Sequence, residues 1–264
     1  MVSKNFYCFA LSRLKVKYHR LKPGGICVFT QYLPLVEFPS VALASALRNT
    51  VLDMNPTEQI KTFVEALELN MSSYGVKLGA ETLAGLAQYY ALLIRWNQRL
   101  HLVAPCSPEE FATRHILESL LLLDHLPHSA RVADIGSGAG LPIIPCLIAN
   151  PDLNATLIES SQKKAVFLRE ALNHAGISSG VTIIAKPFEE TPTPNVGFVT
   201  SRALDQFISK IPNLISWSPP TASLLFFGGE SLRDVLQAYP GYSEFLIPNS
   251  DKRFLFIVNK DKII

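Results

Sequence analysis

Five residues near the middle of the chain have the types and spacing of a nucleoside-binding site. Gly136, Gly138 and Gly140 alternate with other residues between two apolar segments. Glycines at such a turn let the backbone approach a ligand closely, and the helix that follows offers unpaired N–H groups. Asp134 lies two places before the first glycine, and Glu159 closes the next predicted strand, 23 residues after Gly136. An acid at that strand end can accept hydrogen bonds from two ribose hydroxyls.

The spacing of the glycines argues against a nicotinamide dinucleotide, because its G-x-G-x-x-G fingerprint needs a glycine where the chain has Leu141. S-adenosyl-L-methionine has a ribose and an adenine but no phosphate, so it needs no complete phosphate cradle. Asp134 suits its cationic tail and Glu159 suits its ribose. After the third predicted strand, Phe188 and Glu189 can place an apolar ring and an acceptor near the adenine. The alternative for this pair is a core aromatic and a solvated loop charge.

Alternating strands and helices are predicted to position these residues. The order indicates a parallel sheet covered on both faces, with ligands beyond the carboxyl ends of the strands. A C-terminal hairpin is expected to follow. The predicted strands are residues 132–135, 155–158, 181–185, 198–201, 222–227, 242–247 and 253–258, and the predicted helices are residues 141–149, 162–175 and 231–238.

Three helices are predicted to precede the sheet. Asn55, Pro56 and Glu58 form a capping pattern that starts the first helix. The second covers about residues 80–100, and a capping box at Ser107 starts the third, which runs towards Pro127. The expected organisation is a loosely packed extension or over-extended start over residues 1–53, a helical module over 54–128 and an α/β domain over 129–264.

The net charge and the positions of the cysteines limit the kinds of partner, compartment and metal site that the chain is expected to have. The net charge is +2, but residues 54–264 hold 17 basic and 20 acidic residues, so net charge alone does not indicate a nucleic-acid binder. No segment is a strong candidate for a membrane span. The cysteines form no metal-ligand pattern, which favours free thiols in a reducing compartment, and we expect a cytoplasmic monomer without a metal. The four are Cys8, Cys27, Cys106 and Cys146.

Five ordered segments resemble the bacterial 16S ribosomal RNA guanine-N7 methyltransferases, also called small-subunit methyltransferase G or glucose-inhibited division protein B. The resemblance covers about residues 54–260. It implies a class I methyltransferase fold, S-adenosyl-L-methionine as the methyl donor and 16S ribosomal RNA or the small ribosomal subunit as the partner. It also implies cofactor contacts at Gly136, Leu141, Phe188, Glu189 and Arg202. The segments are 95–97 (RWN), 114–119 (RHILES), 136–145 (GSGAGLPIIP), 163–168 (KKAVFL) and 201–203 (SRA).

The chain departs from the family pattern at several positions. Gly197 stands where the family usually has Asp, and Phe227 with Gly228 replaces a strand-end Lys-Gly. Loss of that lysine removes one candidate phosphate contact. Further departures are Ala139 for Pro, Ile143 for Gly and residues 101–103 (HLV) for Asn-Leu-Thr.

The implied reaction needs no catalytic base, because guanine N7 carries a free lone pair. We therefore assign no catalytic residue and expect positioning to carry most of the catalysis. For Arg114 and His115, a helix-face ion pair with a core histidine is as plausible as a link to the cleft. Lys163 and Lys164 are either solvated or in contact with phosphate. Two alternatives stay open, a methyltransferase of a small molecule or protein and a non-catalytic nucleotide-binding module.

Overall fold

The computed structural model describes residues 55–202, 204 and 206–263. The predicted extension over residues 1–53 lies outside the described residues, as does Met54. No helix in the described part of the chain is long and apolar enough to cross a membrane.

Three helical segments come first, as predicted. Asn55 caps α1 by accepting a hydrogen bond from the Glu58 N–H at 2.9 Å. A third segment, α3, is helical over residues 108–125 but changes its winding, with a π-helix in the middle. The bounds are α1 Pro56–Asn70, followed by a 3-10 turn Met71–Tyr74; α2 Ala80–Leu100; and α3, composed of Pro108–Glu110, the π-helix Phe111–Leu117, Glu118–Leu120 and the 3-10 turn Leu121–His125.

A seven-stranded sheet forms the centre of the described residues. Its strand order is β3-β2-β1-β4-β5-β7-β6, in which β1 to β5 run parallel and β7 pairs antiparallel with both β5 and β6. The strand order reverses between β1 and β4, which is where open α/β sheets bind ligands. The strands are β1 Arg131–Ile135, β2 Asn154–Ile158, β3 Val181–Ile184, β4 Phe198–Ser201, β5 Ser223–Gly228, β6 Tyr242–Leu246 and β7 Phe254–Asn259. The predicted parallel sheet and C-terminal hairpin are confirmed.

Four further helices cover the two faces of the sheet. Side chains alternate along β5, so that Leu225 and Phe227 join the core beneath α1 to α5, whereas Leu224 and Phe226 join the core beneath α6 and α7. Because α1, α2 and α3 share their core with the sheet, the boundary between residues 128 and 129 stays a prediction. These helices are α4 Ile143–Ala149, α5 Gln162–His174, α6 Phe207–Trp217 and α7 Glu230–Leu236, with 3-10 turns at Phe188–Glu190 and Lys260–Lys262.

Helix α6 was not predicted from the sequence. It begins after Gln206, which has a φ of 53° and makes no side-chain capping hydrogen bond, and it contains Pro212. Since a capping residue and a proline-free interior are the local signals of a helix, α6 depends on burial of residues such as Ile211 and Leu214.

Candidate functional site

The loop after β1 has the backbone geometry that only glycine adopts easily. The φ angles are 69° at Gly136, 52° at Gly138 and 81° at Gly140. In this left-handed region a side chain costs about 1–2 kcal/mol. The Gly136 N–H donates to the Ile158 carbonyl at 2.8 Å, which fixes the loop against the end of β2. The predicted strand–turn–helix context of the glycine motif is therefore confirmed.

Glu159 closes this loop from the end of β2. Its Oε2 accepts a hydrogen bond from the Gly138 N–H at 2.8 Å, and its Oε1 accepts one from the Ser161 N–H at 2.7 Å. The residue is only 6% exposed, so its carboxylate is held in one orientation. Because a carboxylate has about four lone-pair sites, each oxygen can still accept a bond from a ligand hydroxyl.

These residues border a cleft of about 430 Å³ at the carboxyl ends of β1, β2 and β4. That volume is within the range of small-molecule sites. Of the eight residues predicted to bind the cofactor, the cleft is lined by Gly136, Gly138, Leu141, Glu159 and Arg202. The remaining lining residues are Leu102, Val103, Ala104, His115, Ser137, Ala139, Ser160, Lys164, Leu204 and Lys210.

Asp134 lies beside the glycine loop but does not line the cleft. It is completely buried, and neither carboxyl oxygen has a hydrogen-bond partner among the described residues. Its pKa is raised to about 8, mainly by burial; the side chain of Ser137 lowers it, and the negative charge of Glu159 adds to the rise. Asp134 is therefore mostly protonated near pH 7. Its predicted contact with the cationic tail of the donor stays a prediction.

Phe188 and Glu189 lie next to the cleft rather than in its lining. Phe188 is buried and packs edge-on against Trp217, with ring centroids 5.7 Å apart, while Glu189 is exposed. Lys210 connects both to the cleft that it lines. Its Nζ lies 3.4 Å from Oε1 of Glu189 and 5.9 Å from the centre of the Phe188 ring. Their predicted contacts with adenine also stay predictions, and sequence reasoning missed Lys210 because it lies on the unpredicted α6.

Arg202 enters the cleft from the end of β4 and is anchored on α3. Its Nη2 donates to Oε2 of Glu118 at 3.0 Å and also to the Arg114 carbonyl, and its Nη1 donates to Ser119 Oγ at 3.3 Å. Glu118 is only 1% exposed, and its Oε1 accepts a hydrogen bond from Arg253 Nε at 2.9 Å. Arg202 lines the cleft, as expected from its place at the end of β4, while its predicted contact with the cofactor stays a prediction. Its buried anionic partner was not foreseen.

The π-helical part of α3 places His115 in the cleft wall. Its Nδ1 is buried without a hydrogen-bond partner among the described residues. The pKa of His115 is lowered to about 3, mainly by burial and also by the cationic side chains of Arg202 and Arg114. His115 is therefore neutral near pH 7. The helix-face ion pair is also present, because Arg114 pairs with Glu110 one turn earlier.

Asn97 holds the segment between α2 and α3 that forms another cleft wall. Its Nδ2 donates to the Val103 carbonyl at 3.1 Å, and its Oδ1 accepts from the Val103 N–H at 3.0 Å. Tyr89, on the same helix, donates its buried hydroxyl to the Ala139 carbonyl at 2.6 Å. Helix α2 thus fixes both the apolar wall at residues 102–104 and the glycine loop.

The residues fit S-adenosyl-L-methionine. Glycines with positive φ leave the backbone open, and Glu159 has free lone pairs for ribose hydroxyls. The cleft lining also contains Lys164, Lys210 and Arg202. No group of three or more His, Cys, Asp or Glu residues that could hold a metal ion occurs in the described ranges.

Comparison with known proteins places the chain in a family. The family model described as rRNA small subunit methyltransferase G matches residues 82–240. Ribosomal RNA small subunit methyltransferase G of Xanthomonas campestris pv. campestris (strain B100) is 35% identical over 191 residues, covering 70% of this chain and 90% of that one. The protein of the same name from Methylobacillus flagellatus is 38% identical over 142 residues, covering 54% and 69%. A solved RNA methyltransferase from Salinibacter ruber, in complex with S-adenosyl-L-homocysteine, is 16% identical with a TM-score of 0.47, covering 61% and 96%. On the strength of the family model and the relatives, the chain belongs to the rRNA small subunit methyltransferase G family.

Proposed function

We propose that this protein transfers the methyl group of S-adenosyl-L-methionine to N7 of a guanine in 16S ribosomal RNA. The observation that carries the proposal is the match to the family over residues 82–240, a range that contains all of the residues lining the cleft. The relatives are named for methylation of small-subunit ribosomal RNA. The cleft supplies a position for the donor where the strand order reverses, as expected of a class I methyltransferase fold.

The donor would be held by the glycine loop and its two acids. Glu159 is oriented by two backbone amides and accepts bonds from the ribose hydroxyls with its remaining lone pairs. Gly136 and Gly138 let the backbone lie against the donor, and Leu141 packs against its apolar part. Asp134 is buried behind the loop and supports it from there rather than from the cleft, while Phe188 and Glu189 border the adenine end beside Lys210.

When bound, S-adenosyl-L-methionine supplies the methyl group, whose bond to sulfur breaks with its electron pair remaining on the sulfur while a bond to N7 forms. N7 uses its own lone pair, so the chain need not remove a proton from the base. What the chain supplies is alignment of N7 with the methyl carbon and exclusion of water. Leu102, Val103, Leu141 and Leu204 provide apolar walls for that purpose.

The charges in the cleft suit a guanine that becomes cationic. His115 is neutral, so it adds no positive charge beside the methylated base. The charge of Arg202 is offset in part by the buried Glu118, 3.0 Å away, which it shares with Arg253. We propose that Arg202 positions the base from the end of β4, with its guanidinium fixed by α3.

The proposal also covers the cellular compartment and the oligomeric state of the enzyme. Cys106 and Cys146 are free thiols among the described residues, which supports a reducing compartment such as the cytoplasm. We propose that the enzyme acts there as a monomer. Size-exclusion chromatography coupled to light scattering measures the oligomeric state, and a stable dimer would contradict this part.

A transfer assay with radiolabelled S-adenosyl-L-methionine tests the function. The substrates are naked 16S ribosomal RNA and small subunits from a strain that lacks this methylation, and the products are digested to nucleosides and identified by mass spectrometry. We expect label in N7-methylguanosine, and strong loss of donor binding and transfer in Glu159→Ala, with unchanged circular dichroism. Label that enters neither substrate, or that enters another position, would refute the proposal. A protein or small-molecule extract as acceptor tests the alternative substrate class.

A further inference from the structure

A second concave surface lies outside the cleft, between α2 and α5. We call it the α2–α5 groove; its volume is about 470 Å³ and it is lined by Leu92, Arg95, Trp96, Arg99, Leu100, Glu170 and His174. None of the eight residues predicted to bind the cofactor belongs to it. The function proposed above leaves this surface without a role.

The charge of the groove is predominantly positive. Arg95 and Arg99 are exposed, and neither forms an ion pair with a described residue. They are one helical turn apart, which separates their attachment points by about 6 Å. Glu170 is the single acid in the lining, and His174 already donates from Nδ1 to the Glu170 carbonyl at 3.1 Å. Two exposed guanidinium groups at this spacing can each donate to a phosphate.

An aromatic ring lines the groove together with the two arginines. Trp96 is half-buried, and its ring packs edge-on against the buried Phe167 of α5, with centroids 5.9 Å apart. The indole is therefore held in place and partly open to the groove. A basic groove with a fixed aromatic ring is the usual composition of a surface that binds single-stranded nucleic acid.

The groove and the cleft are lined by neighbouring parts of the same two segments of the chain. Leu100 lines the groove, and Leu102 lines the cleft two residues later. Asn97 fixes this connection through its two hydrogen bonds with Val103, at 3.1 and 3.0 Å. On α5, Lys164 lines the cleft while Glu170 and His174 line the groove. A chain that follows the groove would thus be led to the cleft along both helices.

We propose that the α2–α5 groove binds the sugar–phosphate backbone of the RNA next to the guanine held in the cleft, with Arg95 and Arg99 contacting phosphates and Trp96 stacking on an unpaired base. The inference rests on the proposed function and adds the path of the substrate to it. It would also supply phosphate contacts, on α2, to a chain in which Phe227 replaces a strand-end lysine.

Affinity measured against salt tests the groove directly. Fluorescence anisotropy with labelled 16S ribosomal RNA fragments gives the slope of log affinity against log salt for wild type, Arg95→Ala and Arg99→Ala. The matched control is Arg131→Ala, since Arg131 is exposed at the first residue of β1, at the amino end of the parallel strands and therefore opposite the end that carries the cleft. Each groove variant should lower the slope by about 0.7 and weaken binding on the order of 3- to 10-fold, whereas the control should match wild type. Calorimetry should show wild-type affinity of all variants for S-adenosyl-L-methionine.

Tryptophan fluorescence gives an independent readout. The chain has two tryptophans, so Trp217→Phe leaves Trp96 as the reporter, and a short oligoribonucleotide should quench it. Wild-type slopes in both groove variants, or no quenching of Trp96, would overturn the inference while leaving methyl transfer by the wild type intact. A wild type that neither binds nor methylates the RNA would overturn the proposed function as well.

Discussion

The buried carboxylate of Glu118 should decide both the stability of the protein and the position of Arg202. In Glu118→Gln the side chain keeps its shape but loses its charge and one of its two acceptor oxygens. The amide oxygen can still accept from one arginine. The amide nitrogen then faces the other, so two donors meet where Arg202 and Arg253 now share a carboxylate.

The size of the effect follows from the exposure of the three groups. Removing one partner of a buried ion pair costs about 3–5 kcal/mol. Glu118 is 1% exposed and Arg202 14%, but Arg253 is 35% exposed, so water replaces part of its lost interaction. We therefore expect a loss of about 3 kcal/mol in the free energy of unfolding, which for a chain of this size lowers Tm by about 6–12 °C.

Urea unfolding followed by far-ultraviolet circular dichroism measures this loss. Arg253→Gln is the matched control and should cost only about 1 kcal/mol, because its guanidinium is partly solvated. A double-mutant cycle between Glu118→Gln and Arg202→Gln should give a coupling energy of about 1–3 kcal/mol. In the transfer assay, Glu118→Gln should also lower kcat/KM, since Arg202 loses its orientation. Wild-type stability of Glu118→Gln, or zero coupling, would show that the ion pair does not anchor Arg202.

Three other variants test separate parts of the site. Gly136→Val should abolish donor binding in calorimetry. A Cβ at this position would lie 2.8 Å from Cδ1 of Leu204, and the φ of Gly136, 69°, strains any residue with a side chain. Wild-type affinity of this variant would disprove the location of the donor. Asn97→Ala should lose about 1–3 kcal/mol of stability and lower kcat/KM, since Val103 loses both its hydrogen bonds; an unchanged kcat/KM would mean that the wall need not be fixed. Between about pH 4 and pH 8 the folded state keeps the proton on Asp134, because its pKa is raised, whereas the unfolded state has lost it. The free energy of unfolding of the wild type should therefore fall as pH rises through this window, by at most about 1.4 kcal/mol per pH unit. Urea titrations of Asp134→Asn should lack this fall, and parallel pH profiles of the two proteins would contradict the burial argument.

The parts of the site that the sequence predicted are those determined by local backbone geometry. The glycine loop needs positive φ angles at three positions, so its residue types are visible in the chain. Glu159 was predictable because its place at the end of β2 brings it to Gly138, its hydrogen-bond partner across the loop. The alternation of strands and helices likewise gave the parallel sheet, and the family resemblance is confirmed.

The parts that escaped prediction depend on contacts between distant segments. Glu118 meets Arg202 and Arg253 from 84 and 135 positions away, and a helical RHILES segment gives no local signal for that pairing. Lys210 was missed together with α6, which lacks a capping residue and contains a proline. The burial of Asp134 was also hidden, because parallel strands are covered on both faces and their sequence does not show which polar side chain is enclosed.

The departures from the family pattern have different structural surroundings. A Cβ at Gly197 would meet no atom within 4 Å, so packing does not explain the glycine that stands where the family usually has Asp. A Cβ at Gly228 would lie 2.5 Å from Cδ2 of Leu232, so glycine fits the close approach of α7 to β5. Phe227 packs beneath Arg202, whose Cζ is 5.4 Å from the ring centre. Its aromatic ring thus supports the guanidinium at the position of the lost lysine.

The modified nucleosides of 16S ribosomal RNA, compared between cells with and without the gene, test the central claim most directly. Nuclease fragments analysed by mass spectrometry should contain one N7-methylguanine that disappears when the gene is deleted. It should return with the wild-type gene but not with the Gly136→Val variant. An identical set of N7-methylguanines in both strains would contradict the assignment of this chain as the methyltransferase.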